Sequence, residues 1–163
     1  MIELMIGVVL VAVLLGIGLP LFRSFILEQR LRATSSDLRV ALTMARSEAV
    51  KRNREVTLEK SATGWGDGWT IPSPTGGPDI LNHVRAGDVT ITGPDDVTFT
   101  PAGRAKVPPG LAQLQIDVGD DAEEEVRYAC LERQLDGRVL SCRQACPDPD
   151  APLPDPCDDG DDA

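Results

Sequence analysis

Residues Leu4 to Phe22 read LMIGVVLVAVLLGIGLPLF, nineteen positions without a charged or polar side chain. As a helix this run is about 28 Å long, close to the hydrocarbon thickness of a bilayer. It is longer than the core of a signal peptide, and no clear small-x-small cleavage site follows it. The reading is a membrane-spanning helix bounded by Arg23. Gly16, Gly18 and Pro20 are expected to weaken or kink its second half. Glu3 stands at the edge of the run. A carboxylate beside hydrocarbon is costly unless paired, which makes Glu3 a functional candidate; simple placement at the headgroup level is the alternative.

The helical pattern continues past Arg23. From Phe25 to about Asn53 there is no Gly or Pro, and Leu31, Leu38, Leu42, Ala45 and Ala49 recur at spacings of seven, four, three and four. These positions share one helical face. Ser, Arg, Glu and Lys fill the other face, which reads as solvated. Small residues at Ala41, Ala45 and Ala49 let a sheet approach closely. The prediction is one long helix: residues 1–23 lie in lipid, and residues 24–54 form an amphipathic stalk on a β-domain.

That domain is assigned to residues 55–143, where the period changes to two. Glu55 to Lys60 reads as a strand, Gly64 to Gly68 as a turn, and Trp69 to Ile71 as a resumed strand. Pro72 to Asp79 is a Pro- and Gly-rich loop. Val89–Thr92 and Val97–Thr100 flank Gly93-Pro94-Asp95-Asp96, which predicts a hairpin. Leu114–Val118, Val126–Leu131 and Arg138–Cys142 are further strands, with an acidic loop from Gly119 to Glu125. Residues 144–163 form a tail with seven Asp, no basic residue, and Leu153 as its only large apolar side chain. Such a segment cannot bury a core and is expected to be disordered. Clustered Asp side chains suit calcium, but no EF-hand spacing is present. A solvating tail is the reading, and neither a metal nor any other cofactor is predicted.

Composition narrows the function. The net charge is −10, although Arg23 to Lys60 carries nine basic and five acidic residues. Overall acidity argues against general nucleic-acid binding, which needs cations to replace counterions on phosphate. With one His, no nucleophile elbow and no phosphate-binding glycine loop, the chain does not read as an enzyme. Its four cysteines, Cys130, Cys142, Cys146 and Cys157, all fall in the last third. Beside a membrane segment this predicts disulfides rather than metal-binding thiols, and four cysteines allow three connectivities.

Met1-Ile2-Glu3-Leu4-Met5, the Val/Leu/Ile-rich run and the Pro before Phe22-Arg23 resemble the class III signature of type IV pilins and pseudopilins. The resemblance implies a prepilin peptidase as processing partner and methylation of the new N-terminus. The leader, its Gly and the usual Phe-Thr are not in this sequence, so the cleavage site is absent from it. It also implies that Glu3 acts in subunit assembly by attracting the N-terminal amine of a neighbour. The stretch from Leu38 to Asn53, then Val56-Thr57-Leu58, is similar to the FimT, FimU and GspH group of minor pilins and pseudopilins. Trp69, Val97-Thr98-Phe99-Thr100-Pro101-Ala102-Gly103-Arg104 and Asp136-Gly137-Arg138-Val139 extend the likeness.

The resemblance implies an α+β, type IV pilin-like fold: a long N-terminal helix, transmembrane in its first half, packed on an antiparallel β-sheet domain. Many members carry a disulfide across the strands flanking the last turn, which implies Cys130–Cys142; Cys146–Cys157 is then the second pair. The implied function is a minor pilin that helps initiate a type IV pilus and sits near its tip. The alternatives are a GspH-like minor pseudopilin of type II secretion and a DNA-binding minor pilin for natural transformation. Some FimT-like proteins are credited with DNA binding through a Gly-Arg-x-Arg motif. Here Gly137-Arg138-Val139-Leu140 lacks the second Arg, Arg143 follows, and the acidic tail repels phosphate. Arg138 and Arg143 are thus the candidate DNA contacts of a reading that the charge opposes. The implied partners are other major and minor pilins or pseudopilins, met through the N-terminal helix, and the assembly platform. The implied location is the inner membrane, single-pass, with the C-terminal domain in the periplasm.

Overall fold

The computed structural model describes residues 2–84, 89–106, 113–119, 122, 127–133 and 137–146; the side chains of residues 2, 12–21 and 133 lie outside that description. Helix α1 runs unbroken over Ile2–Arg52, 51 residues. It continues through Gly16, Gly18 and Pro20, although the proline has no amide to donate. Lys51 and Arg52 sit in the last turn, where cations complement the negative end of the helix. Asn53 then takes a left-handed φ of 51°, and the amide of Arg54 donates to the carbonyl of Ala49 at 3.2 Å. A left-handed residue after the last turn is a common way to end a helix.

Nine strands follow among the described residues. Five form one antiparallel sheet in the order β3-β2-β1-β5-β6: β1 Val56–Ser61, β2 Gly64–Ile71, β3 Leu81–Val84, β5 Asp96–Phe99 and β6 Ala105–Lys106. Four form a second, β4-β7-β8-β9: β4 Thr90–Thr92, β7 Gln113–Asp117, β8 Tyr128–Arg133 and β9 Val139–Cys142. The helix stripe lies over both. Leu38, Ala41, Leu42, Ala45 and Ala49 are buried to 1% exposure or less, and they share one core with Leu58, Trp69, Ile71, Phe99, Leu114, Ile116 and Leu131. The period-three-and-four spacing thus places a flat, alanine-rich face where two sheets converge. The α+β fold, a long helix on antiparallel sheets, matches the expectation.

Three local expectations are corrected. Gly64 to Gly68 is not a turn: the chain reverses at Ala62-Thr63, and β2 starts at Gly64. Trp65 is 2% exposed and anchors this part of the strand in the core, which outweighs the turn preference of its glycine neighbours. The segments around Gly93-Pro94 are not a hairpin. β4 pairs with β7, Ile91 opposite Ile116, whereas β5 pairs with β1, Leu58 opposite Val97. The link crosses between sheets, held where Trp65 Nε1 donates to the carbonyl of Pro94 at 2.7 Å. A Cβ at Gly93 would stand 2.5 Å from Leu114 Cδ2, so the glycine serves a close approach. The third correction is β3, an edge strand missing from the sequence reading, where His83 stacks on Trp69 at 4.2 Å.

Among the described residues no helix is long and apolar enough to cross a membrane. The expected span contains residues 12–21, whose side chains lie outside the description. The tail from Pro147 onward and the acidic segments 120–121 and 123–125 lie outside it as well.

Candidate functional site

The N-terminal part of α1 leaves the domain uncovered. Leu4, Met5, Ile6, Val8, Val9, Leu10 and Val11 are each more than half exposed, as are Phe22 and Phe25. Glu3 is exposed in the first turn. An apolar surface of this extent marks contact with a membrane or another protein, because water solvates it poorly. Among the described residues no group of three or more His, Cys, Asp or Glu side chains can hold a metal ion.

The stalk is fixed to the domain by a polar pin as well as by its stripe. Arg46 Nε donates to the carbonyl of Gly103 at 3.1 Å. Gly103 and Gly137 both adopt positive φ, 73° and 85°, so two Gly-Arg turns from different sheets meet beside one helix arginine. A Cβ on Gly137 would lie 2.1 Å from the Gly103 oxygen and 2.9 Å from Arg46 Nε. Nearer the N-terminal end of the docked stretch, Ser35 and Ser141 hydroxyls lie 3.2 Å apart, tying α1 to β9.

The disulfides differ from expectation. Cys130 is bonded to Cys146, not to Cys142, with Cα atoms 4.9 Å apart. Cys130 and Cys142 do face each other directly in the β8–β9 register. Opposed positions of an antiparallel pair are near enough in Cα distance to bridge, so distance alone does not decide. Gln115, opposite Cys130 on β7, accepts the Cys146 amide at 3.2 Å through its side-chain oxygen. That hydrogen bond and the disulfide hold Cys146 against the same two strands. The expected Cys146–Cys157 pair is overturned with it; Cys142 is also disulfide-bonded, and Cys157 lies outside the described residues. Replacing both Cys130 and Cys146 by Ser is expected to lower stability by about 2–4 kcal/mol. Urea denaturation measures the loss, and non-reducing peptide mapping that links Cys130 to Cys142 would sink the assignment.

A family model described as type II transport protein GspH matches residues 34–137. The chain belongs to the GspH family. Two crystal structures of the type IV minor pilin FimU of Pseudomonas aeruginosa share its fold. One, at 23% identity and TM-score 0.53, covers 68% of this chain and 91% of the FimU chain. The other, at 23% identity and TM-score 0.54, covers 76% and 93%. No protein with a curated description matches significantly. GspH-family proteins are filament subunits rather than enzymes, and membership makes this chain a minor pilin or pseudopilin. It implies association with other pilins or pseudopilins and anchorage in the inner membrane.

In this GspH-family domain the exposed charges pair locally. Hydrogen bonds from Arg52 and then Lys51 hold the Glu48 carboxyl below the usual glutamate range, and Lys60 does the same for Asp95. Arg138 and Arg143 are both exposed, Arg138 at the Gly137 turn and Arg143 just after β9. Sequence reasoning missed Arg46 and Gln115 because each acts on a residue far along the chain. The two Gly-Arg pairs were the visible signal for the first; Gln115 had none.

Proposed function

We propose that this chain is a minor pilin that joins, and helps to initiate, a type IV pilus from the inner membrane. The uncovered apolar face from Leu4 to Val11, on a helix continuous with the docked stalk, is the observation that carries this reading. Residues 1–23 anchor the subunit in lipid and then transfer to a bundle of helices in the filament. Glu3 pairs with the N-terminal amine of a neighbour, which lowers the cost of a carboxylate in an apolar setting. The domain stays outside and contacts other subunits. Likeness to FimU supports the pilus, and the family model, described from type II transport, supports a pseudopilus as the second reading. DNA uptake is the weakest, since Arg138 and Arg143 stand in a chain of net charge −10.

The test is the yield of sheared surface pili from a deletion strain. A large loss is expected, restored by wild type but not by Glu3→Ala. Normal piliation together with lost secretion of a type II substrate would replace the pilus by the pseudopilus.

A further inference from the structure

A cavity of about 380 Å³ opens between α1 and the second sheet. Its polar lining is Glu28, Arg32, Ser35, Ser141 and Arg143, and Leu31, Ala129 and Cys142 close its apolar side. Its place in the fold follows from the helix. Glu28 lies about 9 Å along the axis beyond Phe22 at 1.5 Å per residue. The headgroup layer reaches about 5–8 Å beyond the hydrocarbon on each side. The lower rim therefore stands at the outer edge of that layer, above the exposed rings of Phe22 and Phe25.

The chemistry of the lining is mixed. Two guanidinium groups and two hydroxyls are donors suited to a phosphate, and Arg pairs with phosphate oxygens in bidentate fashion. Glu28 contributes one carboxylate, ion-paired with Arg32. Arg143 makes no ion pair with any described residue. Among the described lining residues two cations stand against one anion, and a phosphate joined to an amine satisfies both signs. We propose that this cavity binds a phosphate–amine group, the headgroup chemistry of phosphatidylethanolamine. The phosphate meets Arg143, Arg32 and the hydroxyls of Ser35 and Ser141, and the ammonium meets Glu28. The Ser35–Ser141 contact then does two jobs: it ties the stalk to β9 and presents two hydroxyls at the cavity wall. The supply of this ligand from a bilayer rests on the reading of residues 1–23 as an anchor.

The experiment uses the full chain, labelled with nitrogen-15, in maltoside micelles. The probes are dihexanoyl phosphatidylethanolamine, soluble phosphoethanolamine, dihexanoyl phosphatidylglycerol, inorganic phosphate and a short DNA duplex. Saturable amide shifts at Ser35, Ser141 and Arg143 are expected with both amine-bearing probes, at lower concentration than with the other three. Tighter binding of the dihexanoyl form than of free phosphoethanolamine identifies the lipid as the source; equal binding identifies a soluble phosphate–amine. Arg143→Ala is expected to weaken binding about tenfold, the loss of one charge-assisted contact. Glu28→Gln is expected to abolish the preference for amine over glycerol. Absence of saturation at those amides, indifference to Arg143→Ala, or equal binding of phosphatidylglycerol, phosphate or DNA overturns the proposal. Alkaline carbonate extraction of membranes tests the anchor separately. A chain released by carbonate that still binds phosphoethanolamine refutes the anchor alone; an embedded chain that binds neither amine refutes the cavity's ligand alone.

Discussion

Gly137→Ala is expected to destabilise the domain by about 3–5 kcal/mol, a large part of the stability of a protein this size. Two effects combine. At φ 85° an alanine pays the left-handed cost of roughly 1–2 kcal/mol. Its Cβ would also lie 2.1 Å from the Gly103 oxygen and 2.9 Å from Arg46 Nε. Neither neighbour retreats easily: Gly103 is itself a buried positive-φ residue, and Arg46 hydrogen-bonds it. Gly76→Ala separates the two effects, because Gly76 has φ 76° but nothing within 4 Å of an added Cβ. That variant should lose only the conformational part, about 1 kcal/mol. Urea midpoints at unchanged slope measure both. Equal losses for the two variants would disprove the account of Gly137 as a close-approach glycine.

Phe99→Ala is the second large effect, about 3–5 kcal/mol. Phe99 is fully buried at the end of β5, opposite Val56 of β1 and Ala105 of β6. Its ring fills space that neither short neighbour can fill, so truncation leaves a cavity besides losing apolar burial. Val84→Ala is the matched surface control: Val84 is 78% exposed at the edge of the same sheet, and its loss should stay within about 0.5 kcal/mol. Calorimetry of both variants decides the point, and comparable melting temperatures would show that Phe99 is not a core residue in solution.

How much was legible follows the range of each interaction. Leu38, Leu42, Ala45 and Ala49 announced their shared face because helix geometry is set within four residues, and all four are buried. Trp69 and Phe99 were placed on strands from local alternation and a family likeness, and both lie in the core. The β4–β5 segments looked like a hairpin because a Gly-Pro link sits between two alternating runs. Their true partners, Ile116 and Leu58, are more than twenty residues away on opposite sides, and nothing local distinguishes the choices. The cysteines failed for the same reason. The register did put Cys130 opposite Cys142, yet the bonded partner is Cys146 from the segment after β9, whose amide meets Gln115 on a third strand. For the candidate assembly site, the apolar run and Glu3 were plain in the sequence, whereas the Arg46 pin became visible only once two distant turns met.

The long docked stretch of α1 has a mechanical meaning. Its stripe from Leu31 to Ala49 covers about 27 Å of helix at 1.5 Å per residue. A load drawn along the helix axis slides the whole stripe against the sheets at once, so its contacts share the force. A load applied across the axis peels them one after another, beginning at Leu31. The subunit is therefore built as a lap joint, strong in tension along the rod and weak in peel, with Arg46 as a rivet near the far end.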